Sequence, residues 1–511
     1  MDRSAELSAP DPLFNRRIVR RRFLGLLAGG VTSAVAACRR APPVPRPLPA
    51  PGPTVSPHRL PRWRGFNLLE KFTLQDNQRY QEWDFDFMAE FGFDFARLPC
   101  DYRIWTAAPG NYREQPLGEI DQAINWARQR GIHVSLNLHR APGYCVNPPV
   151  EPLSLWADDA RGDEARRQFA DQWRMFAERY KGIPSSDLSF NLLNEPPNIP
   201  PQTYLRAVTA AVRAIREADA SRLIIADGLN YATQPAPELN ALMVAQSMHH
   251  YQPLFVTHYR AEWVNGSTTW PAPEWPIVAA INQYLYGNNY PHLRSALVLQ
   301  GDFWGADTVQ LRIEEAPTPA RLIIRANDTV VFDQTVARPE VITVGLSKMT
   351  REIHFEVAEG DWLRFSEIRI HPLPIVDEGV MVLKPDSLDR DIRQTLLKVG
   401  MLGRLTTAHG LERYDQSLLW RNYGARWKAF ADSGVGVHVG EWGVYRFTPH
   451  AVTLAFMRDS LDLFRQAGLG WALWNLRGSF GVLDSDRADV SYERHRGRRL
   501  DRQMLELLQT G

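Results

Sequence analysis

Two acidic residues follow apolar runs that have the character of buried strands. The segment "LSFNLLNEP" (188–196) ends in Asn194, Glu195 and Pro196, and "VGVHVGEWG" (435–443) contains Glu441 near its end. A strand end followed by a turn accounts for Pro196 but leaves Glu195 unexplained. Two carboxylates in different surroundings can divide one reaction between them, because the surroundings decide which one keeps its proton.

Other polar or aromatic residues stand near the ends of further apolar runs. They are Arg97, His139, Asn194, His249, Tyr251 and Trp474. Taken singly, Arg97 reads as an ion-pairing residue, the two histidines as buried core residues and Trp474 as packing. Taken together, their equivalent positions predict one shared site.

Glycoside hydrolysis needs such a carboxylate pair. One group protonates the leaving oxygen, and the other attacks the anomeric carbon or activates water. Asn194 is placed to donate to a sugar 2-hydroxyl, and Tyr251 to hold an attacking carboxylate. The residues alone leave open which carboxylate has which role.

The elements that must position these residues form a regular pattern. Eight strands alternate with amphipathic helices, at 64–69, 93–99, 132–139, 188–196, 222–228, 242–251, 435–443 and 470–476. Apolar strands that alternate with helices predict a parallel sheet covered on its outer face. Eight such units favour an α/β fold, the (β/α)8 TIM barrel, whose site lies at the carboxyl ends of its strands.

The alternation breaks after strand six. Residues 306–373 show period-two patterns with turn residues every 8–12 positions, which predict a small β-sandwich-like domain. The predicted organisation is an export signal (1–38), a Pro-rich tether (39–62), the first part of the barrel (63–300), the inserted β-rich domain (301–375) and the second part of the barrel (376–511). The insert has no clear aromatic row, which favours a cleft-shaping or structural role over carbohydrate binding.

The N-terminal segment predicts export. "RRRFLGLLAGGVTSAVAAC" (20–38) has a basic start, a short apolar stretch and small residues before Cys38. It resembles a twin-arginine signal with a lipobox, so Cys38 is the predicted lipidation site; an uncleaved signal anchor is the alternative. The nine prolines in 42–61 indicate a stiff tether. The expected location is periplasmic or on the cell surface.

The charge and the motifs of the sequence limit the classes of partner and cofactor that the protein can be expected to bind. The 511 residues carry a formal net charge of +1, which gives no global field for nucleic acid or anionic membrane. No Gly-rich dinucleotide motif follows the first strand, and no cofactor is expected. Apart from Cys38 there are two cysteines, Cys100 and Cys145, which can pair or stay free.

The ordered motifs resemble glycoside hydrolase family 5, the large cellulase family. They are "RGFNL", "FARLP", "LNLHRAPG", "NLLNEPP", "HHYQP", "GEWG" and "GWALWNLRGSFGVLD", spread over about 64–510 apart from the insert. The resemblance implies a retaining (β/α)8-barrel glycosidase acting on a β-glucan or related glycan, with Glu195 as general acid/base and Glu441 as nucleophile. It also implies substrate binding by Arg97, His139, Asn194, His249, Tyr251 and Trp474.

The loop after strand six adds three tryptophans. Trp263, Trp270 and Trp275 are candidate walls of sugar subsites, because indole faces stack on pyranose rings. Packing between barrel and insert is the alternative.

Two other functions compete with hydrolysis. A surface-anchored carbohydrate-binding protein on an inactive barrel is the first, although both carboxylates are present. A metal-dependent hydrolase is the second. It has little support, since His249 and His250 are adjacent on a strand and must point to opposite faces.

Overall fold

The structure is a computed structural model that describes residues 55–270, 272–278, 281–301, 303, 306–347, 349–371, 380–385, 394, 396–399, 405–407 and 413–511. The predicted export signal, Cys38 and the tether as far as residue 54 lie outside the described residues. Residues 54–511 form one compact unit.

The predicted barrel is confirmed. Eight parallel strands follow each other around a closed sheet, and the first strand pairs with both the second and the eighth. They are Arg64–Asn67, Phe95–Asp101, His133–Ala141, Leu188–Asn191, Leu223–Asp227, Ala245–His250, Val437–Trp442 and Gly470–Leu473. Parallel register brings all their carboxyl ends to one mouth, so residues distant in sequence meet there.

Amphipathic helices cover the barrel. The longer ones are Glu82–Glu90, Glu114–Gln129, Ala160–Arg179, Pro201–Ala218, Ala425–Asp432, His450–Ala467 and Arg502–Thr510. Within Ala160–Arg179, Phe169, Trp173 and Phe176 are buried at the spacing of one helix face, as the sequence predicted. Strand five is followed by the segment Leu229–Ala232, in which Asn230 and Tyr231 have non-helical backbone angles, and by the short 3-10 helix Pro237–Leu242. Strand six is followed by the short helix Leu254–Thr257.

The insert after strand six is a β-sandwich, as predicted. One sheet contains Tyr284–Tyr286, Thr308–Glu315, Glu340–Gly345, Trp362–His371 and Met381–Leu383. The other contains Leu297–Gly301, Ala320–Ala326, Thr329–Val336, Glu352–Glu359, Leu396–Val399 and Leu405–Thr407. Their inner faces share one apolar core, separate from that of the barrel.

The predicted boundaries of the insert, 301–375, are too narrow. Tyr284–Tyr286 and Leu297–Gly301 pair with Trp362–His371 and Glu352–Glu359, and strands up to Leu405–Thr407 complete the second sheet. Ile277–Val278 pairs with Arg413–Tyr414 where the chain leaves and re-enters the barrel. The sandwich strands therefore run from 284 to 407.

Two smaller findings complete the description. Cys100 and Cys145 are both free thiols, and Cys100 is buried. Among the helices of the described ranges, none is both long enough and apolar enough to cross a bilayer.

Candidate active site

Glu195 and Glu441 meet at the carboxyl-terminal mouth of the barrel. An oxygen of Glu195 and an oxygen of Glu441 lie within 4.8 Å of each other. Glu441 is buried, whereas the side chain of Glu195 keeps 17 % of its exposure. The more exposed group is the one better placed to exchange protons with water.

A bulge in strand seven directs Glu441 into the mouth. The register with strand six shifts between Val439 and Glu441, which is the signature of a β-bulge. Gly440 makes this possible, because an added Cβ there would lie 2.4 Å from the Ser247 hydroxyl. Asn67 Nδ2 donates to the Gly440 carbonyl at 3.0 Å and fixes the bulge from strand one.

Glu195 sits in a left-handed backbone conformation, with φ of 46°. A residue with a side chain adopts this conformation only at a cost, and the surroundings must maintain it. The N–H of Glu195 donates to Asp227 Oδ2 at 3.0 Å, and the Tyr144 hydroxyl donates to its carbonyl at 2.6 Å. Both sides of its peptide are thereby held in place.

Arg97 forms hydrogen bonds with several side chains of the site. Its Nη1 donates to Glu441 Oε1 at 2.7 Å, and its Nη2 donates to Asn194 Oδ1 at 2.7 Å. Nη1 also donates to Asn67 Oδ1, and Nε donates to Asn191 Oδ1. The guanidinium is fully buried, so it supplies a fixed positive charge in a low-dielectric setting.

Tyr251 and His249 flank the carboxylates. The Tyr251 hydroxyl donates to Glu441 Oε2 at 3.2 Å. His249 Nδ1 lies 2.8 Å from Glu195 Oε1 and 3.7 Å from Glu441 Oε2. His249 Nε2 lies 3.3 Å from Asp227 Oδ2, so this one imidazole faces three carboxyl groups.

The surroundings shift the pKa values of these groups. Burial lowers the pKa of His249, but the charges of Glu441, Asp227 and Glu195 together outweigh burial and raise it. Burial raises the pKa of Glu441, and the charges of His249 and Arg97 oppose that rise. The ionised form of Glu441 therefore depends on these two cations.

His139 and Trp474 stand on the opposite side of the mouth. His139 Nε2 lies 2.8 Å from Asn147 Oδ1, and burial lowers its pKa to about 3, so the ring is neutral. The ring of Phe72 contacts both, 4.4 Å from the His139 ring and 5.3 Å from the Trp474 ring, and the latter two rings are 6.0 Å apart. Asn194 Nδ2 is buried and has no hydrogen-bond partner in the part of the chain that the structure describes.

Sequence reasoning missed three residues of this network, Asn67, Asn191 and Asp227. Asp227 Oδ1 accepts a hydrogen bond from Asn191 Nδ2 at 2.8 Å, and both side chains are buried. Each of the three is the last residue of a barrel strand. Their position at the carboxyl ends of strands one, four and five was the available signal.

The three loop tryptophans have different surroundings. Trp263 is 56 % exposed and its ring lies 4.8 Å from that of Tyr445, so it remains a candidate subsite wall. Trp270 is half-buried and lines a cavity between barrel and insert. The structure contradicts the prediction that Trp275 is a subsite wall. This residue is buried against Phe456, and its Nε1 donates to Asp459 in the helix His450–Ala467. Its ring faces are used in packing, which leaves none for a sugar.

One group of side chains has the spacing of metal ligands. The ligand atoms of Glu195, His249 and Glu441 all lie within 4.8 Å of one another. His250 does not join them, because it is buried on the other face of the strand, where its ring stacks on Phe456 at 5.8 Å. The opposite orientation of the two histidines, expected from strand geometry, is confirmed.

Comparisons with known proteins agree with this geometry. The model of the family "Cellulase (glycosyl hydrolase family 5)" matches residues 55–295. Endoglucanase C of Acetivibrio thermocellus is 31 % identical over 188 residues, which are 36 % of this chain and 53 % of that protein. The probable glucan 1,3-beta-glucosidase A of Aspergillus clavatus is 30 % identical over 181 residues, 33 % of this chain and 41 % of that one.

Fold comparison extends over more of the chain. A crystal structure of a glycoside hydrolase superposes with a TM-score of 0.58 and 26 % identity, over 88 % of this chain and 99 % of that chain. The chain spans about half the length of the curated relatives it matches. Fold and site define a (β/α)8 barrel with a carboxylate pair at its mouth. Residues 55–295 match the model of glycoside hydrolase family 5, the family that the sequence motifs resemble.

Proposed function

We propose that this protein is a retaining glycoside hydrolase that cleaves β-glycosidic bonds in a β-glucan or a related poly- or oligosaccharide. One observation carries the proposal: the oxygens of Glu195 and Glu441 lie within 4.8 Å of each other at the barrel mouth. Retaining enzymes separate their carboxyl groups by about 5–5.5 Å, and inverting enzymes leave about 6.5–9.5 Å for a water molecule. Oxygens this close bring both carboxylates to one anomeric carbon, which supports direct attack by one of them.

In the first step Glu441 acts as the nucleophile. Its carboxylate oxygen bonds to the anomeric carbon, and the bond from that carbon to the leaving oxygen breaks. Glu195 gives its proton to the leaving oxygen, so the shortened glycan departs as an alcohol. The products are a glycosyl ester of Glu441 and an ionised Glu195.

In the second step water replaces the leaving group. Glu195, now a carboxylate, takes a proton from a water molecule as that water bonds to the anomeric carbon. The ester bond to Glu441 breaks and restores its carboxylate. Two displacements at one carbon return the original configuration, and Glu195 regains the proton that it lost.

The residues around the pair have matching roles. Arg97 and Tyr251 donate to Glu441 and stabilise the carboxylate that attacks. His249, whose raised pKa favours its cationic form, lies 3.7 Å from Glu441 Oε2 and adds positive charge that favours the ionised form of Glu441. Asn194, whose Nδ2 is buried without a partner among the described residues, is suited to donate to a sugar hydroxyl.

Trp474, with Phe72 and His139, offers an aromatic surface for the sugar ring that is attacked. The substrate class rests on the relatives. An endoglucanase and a probable glucan 1,3-beta-glucosidase each match about a third of the chain, at 36 % and 33 %, which supports a β-glucan and leaves the linkage open.

Proton NMR of the first-formed product tests the mechanism. Hydrolysis of a β-linked oligosaccharide in the spectrometer is expected to give the β-anomer first, followed by slow mutarotation. The α-anomer as first product would overturn the retaining mechanism. Binding without release across cello-, laminari- and manno-oligosaccharides would instead favour a carbohydrate-binding protein on an inactive barrel.

We also propose that the protein is exported and lipid-anchored at Cys38. The support is the arginine-rich start and the small residues before Cys38 in the sequence. Expression in a bacterium with subsequent detergent phase separation tests this. The native chain is expected in the detergent phase and Cys38→Ala in the aqueous phase, and an aqueous native chain would contradict lipidation.

A further inference from the structure

The inserted sandwich turns an aromatic face away from its own core. In the strand Tyr284–Tyr286, Leu285 points inward and pairs with Leu363, whereas Tyr284 and Tyr286 point to the other side. There they form a separate cluster with Trp362 and Tyr290. The ring centroids of Tyr284 and Trp362 are 5.1 Å apart, and those of Tyr286 and Tyr290 are 5.5 Å apart. Outward faces of sandwich strands are normally polar, whereas Tyr284 and Tyr286 are aromatic and each only 5 % exposed.

A cavity of about 750 Å³ separates this aromatic face from the barrel. On the barrel side Tyr231, Trp270 and Phe255 line it, and Tyr231 is 47 % exposed. Small-molecule sites usually have volumes of about 300–1,000 Å³. The cavity therefore has the size of a ligand site with aromatic rings on both walls.

Polar side chains stand between the rings. Arg364 Nη2 and Glu315 Oε1 form an ion pair at 2.6 Å on the insert wall, and Gln252 and Asn230 stand on the barrel wall. Ring faces suit the apolar faces of pyranoses, and amides and charged groups suit their hydroxyls. This mixture fits a sugar chain better than an aliphatic ligand.

The cavity adjoins the carboxylate pair on the side of Glu195. The N–H of Tyr231 donates at 2.8 Å to the carbonyl of Pro196, the residue after Glu195. Burial raises the pKa of Tyr231, and the charge of Glu195 adds to this rise. Gln252 directly follows Tyr251, which contacts Glu441.

The backbone holds Tyr231 firmly in this position. Asn230, Tyr231 and Ala232 have φ of 51°, 58° and 59°, three successive left-handed residues that are not glycine. Such a run is costly and persists only where its surroundings maintain it.

The opposite side of the mouth has a second, smaller hollow. It has a volume of about 300 Å³ and is lined by Phe72, Asn475 and Arg477 beside strands one and eight. Strands one and eight lie across the barrel from strands four and five, which carry Glu195 and Tyr231. The two hollows therefore lie on opposite sides of the bond that would be cleaved.

We propose that the cavity between barrel and insert binds the leaving-group side of a β-linked oligosaccharide, so that the inserted sandwich is part of the substrate cleft. The assignment rests on the proposed function, in which Glu195 protonates the leaving oxygen. A chain leaving past Glu195 crosses Tyr231 and reaches Trp362. The insert then sets how many sugars beyond the cleaved bond contribute to binding.

Chain-length kinetics test this inference. The ratio of kcat/KM for a six-sugar to a three-sugar substrate is measured with cello-, laminari- and manno-oligosaccharides, in the series that is cleaved fastest. Trp362→Ala and Tyr231→Ala are each expected to lower that ratio about fivefold to tenfold, as the loss of one stacking ring predicts. Met349→Ala, on an exposed insert residue outside the cavity, is the control and is expected to keep the ratio of the unaltered protein.

The outcomes separate the two proposals. If the unaltered protein cleaves oligosaccharides and both variants keep its ratio, the cavity assignment is wrong and the hydrolase proposal stands. If no oligosaccharide is cleaved, the hydrolase proposal and the inference that rests on it both fail. Tyr231→Ala lies on the barrel, so it keeps the test valid even if Trp362→Ala disturbs the sandwich.

Discussion

Arg97 Nη1 donates to Glu441 Oε1 at 2.7 Å, and this contact joins strands two and seven across the barrel mouth. Both side chains are buried. An isolated buried carboxylate would take up a proton, and a buried guanidinium beside it favours the ionised form. Arg97 and Glu441 are brought together only when the sheet is closed, so chemistry at Glu441 depends on the whole barrel being assembled.

Glu441→Gln removes the oxygen that attacks in the proposed mechanism and leaves a side chain of nearly the same shape. We expect kcat to fall by about 10⁴-fold or more on every substrate, including aryl glycosides with good leaving groups. Circular dichroism and the melting temperature check that the fold is intact. Turnover of an activated aryl glycoside at a rate near that of the unaltered protein would exclude Glu441 as the nucleophile.

Glu195→Gln removes the proton donor of the proposed mechanism and keeps its nucleophile. We expect bond cleavage in an oligosaccharide to slow by about 10²–10⁴-fold, because a sugar alkoxide leaves poorly without a proton. Formation of the glycosyl-enzyme from a dinitrophenyl glycoside, whose leaving group needs no proton, is expected to slow far less. Pre-steady-state release of dinitrophenol measures that step, and equal losses on both substrates would contradict the acid role.

Tyr251→Phe tests the pH dependence of Glu441. In the proposed mechanism Glu441 attacks as a carboxylate, so kcat/KM is expected to rise with pH as this group loses its proton. Burial raises the pKa of Glu441, which places the acidic limb above the value of about 4.3 for a free glutamate.

Loss of the Tyr251 hydroxyl removes a donor to the carboxylate and raises the pKa of Glu441 further. The acidic limb is expected to move up by about 1 pH unit, the equivalent of about 1.4 kcal/mol. A pH profile of kcat/KM from pH 4 to 9 measures the shift. If the acidic limb of the kcat/KM profile stays in place or moves to lower pH, the Tyr251 hydroxyl does not stabilise the carboxylate of Glu441.

Trp275→Ala and Trp263→Ala separate packing from sugar contact. Trp275 is buried against Phe456, so its loss is expected to lower the free energy of unfolding by about 3–5 kcal/mol. Trp263 is exposed, and its loss is expected to change stability by less than about 0.5 kcal/mol. Urea unfolding measures both.

For KM we expect the opposite order: loss of Trp263 raises it, and loss of Trp275 leaves it unchanged. Trp263→Ala is expected to raise KM for oligosaccharides severalfold if its ring walls a subsite. The folded fraction of the Trp275→Ala protein is expected to have the same KM as the unaltered protein. A stable Trp275→Ala protein with a raised KM would restore Trp275 as a subsite wall.

The sequence predicted the barrel and most of its mouth for one physical reason. A polar residue that follows a buried apolar strand is conspicuous, and parallel topology then brings such residues together. Arg97, His249 and Tyr251 were recognisable in this way. Asn67, Asn191 and Asp227 were not singled out, although each is the last residue of a barrel strand. Their roles depend on contacts across the barrel that no local pattern reveals.

The limits of the insert were harder to predict for a related reason. The strand Tyr284–Tyr286 has three residues, and its partner, Trp362–His371, is distant in sequence. Short aromatic strands have no alternation long enough to identify them. The orientation of Trp275 likewise depends on tertiary packing, because three tryptophans in one loop look alike in sequence.

The most direct test of the account is the identity of the residue that becomes glycosylated. A 2-deoxy-2-fluoro glycosyl fluoride of the sugar that the enzyme cleaves best slows the second displacement, so the covalent intermediate accumulates. Mass spectrometry of the digested protein is expected to find the fluoroglycosyl group on Glu441. The group on any other residue, or a time-dependent inactivation that leaves every peptide unlabelled, would contradict the account.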